Sequence, residues 1–173
     1  MYGVAIRSGG QTGVDRAALD VAIRLGLHYG GWCPRGGLAA DFPEPPGLLA
    51  RYPRLTETPS AALEQRTAWN VRDSHATLIL VPGGDLSPYR GTAFTVLCAD
   101  VIFLRPWLGT DVNRPEAPDQ ARQWLRSLMH VAGPEDLLLN VAGPRESEAP
   151  GVYSAAVRFL DDLLGGLEEM TKG

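Results

Sequence analysis

The run Ala76-Thr77-Leu78-Ile79-Leu80-Val81 constrains the fold most strongly. It is continuously apolar apart from Thr77, so it predicts a central strand covered on both faces. Strands of that kind belong to parallel sheets sandwiched between helices. The rest of the chain supplies the partners. Val4-Ala5-Ile6 reads as a first strand, and a second extended piece runs near Leu27–Trp32. Val101-Ile102-Phe103-Leu104 reads as another buried strand, and Leu137-Leu138-Leu139-Asn140-Val141 as the fifth. Amphipathic helices alternate with them. One runs from about Asp15 to Leu25, with Gly26 placed to end it; a second starts at Ser60 as N-cap and reaches about Asp73. Gly91-Thr92 opens a third through Asp100, Pro115–Met129 forms a fourth with Trp124, Leu125 and Leu128 on its core face, and about Gly151 to Leu167 forms the last.

This alternation predicts an α/β fold: a Rossmann-like doubly wound domain, with a mainly parallel sheet of about five or more strands and helices on both faces. The 173 residues suffice for one such domain, read as 1–168 with a polar tail at 169–173. Residues 38–59 carry Pro43, Pro45, Pro46, Pro53 and Pro59 and read as an irregular excursion, the kind of long loop that usually serves function.

Charge and composition exclude several classes. A net charge of −4 argues against broad nucleic-acid or anionic-membrane binding, though not against a local positive pocket. Cys33 and Cys98 suggest no disulfide framework and fit a reducing cytoplasm. Met1-Tyr2-Gly3 lacks the charged start of a signal peptide, and no apolar run approaches the ~20 residues of a membrane span. His28, His75 and His130 are isolated, so a protein-ligated metal is not expected.

Ligands of doubly wound sheets bind beyond the C-terminal ends of the strands, and the unusual sequence falls there. Ser8-Gly9-Gly10-Gln11-Thr12-Gly13-Val14-Asp15 joins the first strand to the first helix. Free N–H groups and the positive end of a helix dipole make such a turn an anion site, and the expected target is a phosphate. It aligns with the dinucleotide pattern as Ser8-x-Gly10-x-x-Gly13, and no Lys-Ser/Thr follows to make a P-loop. A purely steric tight turn is the competing reading, against which Ser8, Gln11 and Thr12 add side-chain donors. Asp15 reads either as a helix cap or as a base or hydroxyl acceptor. After the second strand, Arg35 and Gly36 stand where a dinucleotide site would offer an acid to the ribose; a guanidinium there meets a phosphate or simply faces water. Cys33 reads as packed rather than reactive. Arg66, Asn70 and Asp73 form one polar stripe on a helix, ligand-facing or solvated. Gly83 and Gly84, with Gly91 and Thr92, repeat the glycine–helix logic of the first loop, so two helix ends aimed at one crevice could hold one phosphate from two sides. Three or four charge-assisted hydrogen bonds at roughly 1.5–3 kcal/mol each would allow binding near ~1 μM.

Ser8–Asp20, Gly31-Trp32-Cys33-Pro34-Arg35-Gly36, Tyr52-Pro53, Thr56–Ser60, Arg66-Thr67-x-x-Asn70-Val71-x-Asp73-Ser74, Gly91-Thr92 and Leu139-Asn140-Val141-Ala142-Gly143-Pro144-Arg145-Glu146 together resemble the molybdenum carrier protein family, in order and over nearly the whole chain. That family lies within the Rossmann-like SLOG superfamily, beside the cytokinin-activating phosphoribohydrolases and the DNA-processing proteins. The resemblance implies a cytoplasmic homo-oligomer that binds the molybdenum cofactor (molybdopterin), a phosphorylated pterin whose dithiolene holds the metal. It would protect that cofactor and hand it to molybdoenzymes. The hydrolase relatives carry Pro-Gly-Gly-x-Gly-Thr-x-x-Glu with a catalytic glutamate. Here Asp85 to Arg90 separate Pro82-Gly83-Gly84 from Gly91-Thr92, and Thr95 stands at the glutamate position.

The leading expectation is therefore a carrier for molybdenum cofactor or a related phosphorylated small molecule, without a catalytic residue, a membrane or a nucleic acid. The residues expected to hold the ligand are Ser8, Gly9, Gly10, Gln11, Thr12, Gly13, Asp15, Arg35, Gly36, Arg66, Asn70, Gly83, Gly84, Gly91, Thr92 and Arg145. A nucleotide-binding sensor or nucleotide-processing enzyme of the same superfamily is the alternative, and DNA binding a third, disfavoured by the acidic balance.

Overall fold

A computed structural model of the chain describes residues 3–129 and 136–171. Six parallel strands form its sheet: β1 (Val4–Arg7), β2 (Tyr29–Cys33), β3 (Leu55–Glu57), β4 (Ala76–Val81), β5 (Trp107–Asp111) and β6 (Leu137–Ala142). The helices are α1 (Val14–Arg24), α2 (Leu48–Arg51), α3 (Leu63–Arg72), α4 (Arg90–Leu97), α5 (Ala117–Leu128) and α6 (Val152–Thr171). Across the sheet the order is β3-β2-β1-β6-β4-β5. The chain steps outward from β1 to β3, crosses back to β4 through α3, steps out to β5, and returns to insert β6 between β1 and β4. Val4 pairs with Leu137 and Arg7 with Asn140, while Ala76 pairs with Leu139 and Ile79 with Ala142. The winding thus reverses around β1, β6 and β4, where the fold opens a crevice at the strands' C-terminal ends.

Both faces are covered, as the apolar run of β4 requires: all six of its residues are buried. On one face α1, α5 and α6 pack Val14, Ala18, Val21, Leu125, Ala156, Leu160 and Leu163 against Ile6, Leu78, Leu80, Leu139 and Val141. Fully burying one such aliphatic side chain contributes roughly 1.5–3 kcal/mol. Ala17, Ala18 and Ala22 are small enough to let α1 lie close on the sheet. On the other face Val71, Cys98 and Ala99 pack with Ala68, Phe94, Phe103 and Trp107 from α3, α4 and β5.

Five expectations are corrected. Val101–Leu104 is not a strand: α4 continues into a π-helical turn, Cys98–Ile102, and Val101, Ile102 and Leu104 are exposed. The strand follows at Trp107–Asp111, where a half-buried edge position asks only for intermediate burial and hides the apolar signal. The 38–59 excursion is not wholly irregular. It contains α2 and β3, and β3 pairs Leu55 with Gly31 at the sheet edge, where flanking Pro53 and Pro59 break no ladder. Ser60 does not cap α3 at its first residue; Ala62 holds that place, and Ser60 Oγ instead accepts from Ala62 N at 3.0 Å. β4 lies one strand in from the edge, and the central pair is β1 and β6. α6 runs on to Thr171, into the segment read as a tail. His130 lies outside the described residues.

Candidate functional site

Most polar groups of the loop after β1 are engaged within the protein. Ser8 Oγ donates to the Asp15 carbonyl at 2.8 Å and accepts from Gly10 N at 3.2 Å. Gln11 Oε1 accepts from Thr12 N and from Ala40 N, both at 3.0 Å. The Gly10 carbonyl accepts from Nε and Nη2 of Arg16 at 3.1 Å each. That guanidinium also pairs with Asp41 at 2.7 Å and lies over the Phe42 ring, which ties the loop to the 38–59 excursion. The start of α1 is covered as well: Val14 N donates to Pro144 O at 3.3 Å. Gly13 caps the helix at φ 82°, and a Cβ there would overlap the Pro144 carbonyl oxygen.

Asp15 is not a cap. Its side chain points at α3, where Arg66 Nη1 donates to Oδ2 at 2.7 Å, and both side chains are nearly buried, 6% and 13% exposed. The Gln11 N–H donates to the same carboxylate. Burial pushes the Asp15 carboxyl above its ordinary range; the charge and hydrogen bond of Arg66, then the Gln11 N–H and Arg16, pull the other way without cancelling it. Gly9 permits this pair, since a Cβ there would collide with the Arg66 guanidinium. Arg66 Nε is buried with no hydrogen-bond partner among the described residues.

Asn70, one turn further along α3, uses both ends of its amide on β2: Oδ1 accepts from Trp32 N and Nδ2 donates to Trp32 O, each at 2.8 Å. β1 has already ended there, its last contact on this side being Ser8 N to Gly30 O, so the amide replaces a missing strand. Asp73 is likewise occupied, accepting from Trp32 Nε1 and from Arg72.

α4 is different. Ala93 N is the first amide of the helix to find a helical partner, donating to Tyr89 O, so the N–H groups of Arg90, Gly91 and Thr92 are left without partners among the described residues. Thr95, at the glutamate position of the hydrolase pattern, donates its hydroxyl to Gly91 O at 3.1 Å.

These elements enclose a cleft of about 480 Å³ at the reversal of the sheet. Of the residues expected from sequence, Gly9, Gln11, Asp15, Arg66, Asn70, Gly91, Thr92 and Arg145 line it. Ser8, Gly10, Thr12 and Gly13 do not; they form the loop behind Gly9 and Gln11. Arg35 and Gly36 sit apart at the end of β2, where Arg35 is exposed and Gly36 N donates to Glu57. Gly83 and Gly84 line a second depression with Asp111, Arg114 and Trp124, and Gly83 N donates to Asp111. The glycine–helix pair is therefore split: only its helix end reaches the main cleft.

Sequence reasoning missed Arg90, Phe94, Asn140 and Glu148 in the lining. Asn140 was findable as the one polar residue in an apolar strand; it donates to buried Thr77 Oγ1 at 3.3 Å. The cleft's cations are Arg66, Arg90 and Arg145, against Asp15, Glu64 and Glu148. Arg145 pairs with Glu148 at 3.4 Å, whereas Arg90 makes no ion pair among the described residues. Cys33 is packed, and its burial pushes the thiol up to about 11. Among the described residues no group of three His, Cys, Asp or Glu could hold a metal ion, and no helix is long and apolar enough to cross a membrane.

Comparison with known proteins agrees with the fold. The chain matches the model of the circularly permutated YpsA SLOG family over residues 6–164. It is 36% identical to a crystal structure of a "Putative molybdenum carrier protein" from Syntrophus aciditrophicus SB, with a TM-score of 0.77, covering 94% of this chain and 95% of that one. No curated protein matches the chain. A family match over residues 6–164 and a likeness to that structure over nearly the whole length lead to one conclusion: this chain belongs to the circularly permutated YpsA SLOG family.

Proposed function

We propose that the protein binds a phosphorylated small molecule of the molybdenum-cofactor class in this cleft and carries it without altering it. One observation supports this most: the three N–H groups at the start of α4, without partners among the described residues, belong to residues that share a cleft with Arg66, one of whose five N–H donors is engaged among the described residues. A helix N-terminus and an unsaturated guanidinium together suit a phosphate. Arg90 adds a third donor, and Gln11 and Gly9 give the loop after β1 a supporting part. Leu63 and Phe94 offer apolar walls to a ring system beside it. Ser8, Gly10, Thr12 and Gly13 hold the loop's shape on this reading. Arg35, Gly36, Gly83 and Gly84 stay outside the phosphate contact.

The carrier description of the Syntrophus protein favours a pterin as the rest of the ligand. A dithiolene brings its own sulfur ligands to the metal, so the protein need only hold the phosphate and shield the ring. Delivery to molybdoenzymes, work in the cytoplasm and assembly as a homo-oligomer complete the proposal.

The test is to purify the protein anaerobically from cells that make the cofactor and to oxidise what it retains. Fluorescent pterin at a substantial fraction of one per chain is expected from wild type, and little from Arg66→Ala. Repeated absence of pterin in both would overturn the carrier reading. Turnover of any member of a nucleotide panel would replace it with a nucleotide-processing one, although Thr95 cannot act there as general acid or base.

A further inference from the structure

We propose that anion binding in the cleft is coupled to uptake of one proton from solvent by the Asp15 carboxylate. The inference rests on the phosphate reading above and adds its charge accounting. Arg66 is the hinge of the argument. It now neutralises Asp15 through Nη1, at 2.7 Å, and the same guanidinium lines the cleft with donors to spare. An anion that engages its other edge shares Arg66 with Asp15 across a single guanidinium. Two negative groups then lie within about 6 Å, the range in which like charges shift each other's titration.

The surroundings give the carboxylate little other relief. On its own element Arg16 pulls the carboxyl down through its charge, the smallest of the pulls on it, but its hydrogen bonds go to Gly10 O and Asp41. From the preceding loop the Gln11 N–H reaches it. Across the cleft, Arg90 on α4 and Arg145 after β6 face the anion's side, and Arg145 is already paired with Glu148, while Glu64 on α3 adds another negative group. The side chain is 6% exposed, so water cannot screen the new repulsion. Protonation can. Asp15–COO⁻ takes H⁺ from water and becomes Asp15–COOH, and Arg66 passes to the anion as an undivided cation. Burial already inclines this carboxyl toward its neutral form.

Asp15 thereby makes the cleft's affinity pH-dependent: an anion is bound together with a proton, and bound ligand leaves as the pH rises. The sign follows from linkage, since a complex that holds more protons than its parts is favoured at low pH.

Titration calorimetry with sulfate tests it, because sulfate keeps one charge state from about pH 5 to 8 and contributes no titration of its own. Repeating each titration in two buffers of different ionisation enthalpy counts the protons. At least about half a proton per sulfate should be taken up, and affinity should fall about threefold or more per pH unit. Asp15→Asn should take up none and bind equally across the range. Sulfate that binds wild type with constant affinity and no proton uptake would overturn the coupling and leave the phosphate site standing. Sulfate that binds at no pH would overturn both. Should Asp15→Asn fail to fold, the wild-type buffer comparison decides alone.

Discussion

The loop after β1 and the first turn of α4 share one sequence pattern, glycines leading into a helix, and the structure gives them opposite characters. In the first, Ser8, Gln11, Arg16 and Pro144 take up the loop's donors and acceptors, so the turn is a piece of internal architecture. In the second, Arg90, Gly91 and Thr92 line the cleft, and their N–H groups have no partner among the described residues. A glycine-rich helix start is thus a capacity for anions. Whether it is used depends on which neighbour arrives first.

The sharpest way to break this comparison is to add the same methyl group to both turns. Gly13→Ala forces a Cβ onto the Pro144 carbonyl at a φ that only glycine tolerates, and should cost about 3 kcal/mol or more in chemical denaturation. At Gly91 nothing lies within 4 Å of a Cβ, so Gly91→Ala should change stability by less than about 0.5 kcal/mol. Equal losses at the two positions would remove the distinction.

A second pair separates stability from binding. Ser8→Ala leaves Gly10 N without its partner and frees the Asp15 carbonyl, so stability should fall by about 2 kcal/mol while sulfate affinity stays within about twofold. Arg90→Ala should do the reverse, weakening sulfate about tenfold with stability unchanged within ~0.5 kcal/mol. If both substitutions moved the same quantity, the two turns would not be doing different work.

The smallest effect concerns the clasp on the first loop. Arg16 holds the Asp41 carboxyl below its ordinary value of 3.8, chiefly through their hydrogen bond. That contribution to stability is complete above the ordinary value and is lost as the pH falls through the lowered one. Asp41→Asn should therefore flatten the acid limb of a pH–stability curve slightly. Because Asp41 is 44% exposed, solvent screening keeps the change small.

How far the sequence went can be judged residue by residue. Ala76–Val81 announced its strand because burial on both faces leaves no polar position in the pattern, and α1 announced itself through apolar spacing and Gly26. The edge strands β3 and β5 were missed for the converse reason: three residues between prolines, and five of intermediate burial, carry little periodic signal. Val101-Ile102-Phe103-Leu104 misled because a short apolar run reads alike as buried strand and as an exposed turn of helix.

At the site, sequence gave the inventory and tertiary structure the allocation. Glycine positions, helix starts, Arg66 and Asn70 were legible, since turns and amphipathic stripes depend on local spacing. That Asn70 stands in for a strand, that Asp15 meets Arg66, and that Pro144 covers α1 while α4 stays open were not. Each is a contact between residues at least 38 positions apart, and hydrogen-bond capacity is fixed by residue type whereas its satisfaction is fixed by who lies within 3 Å.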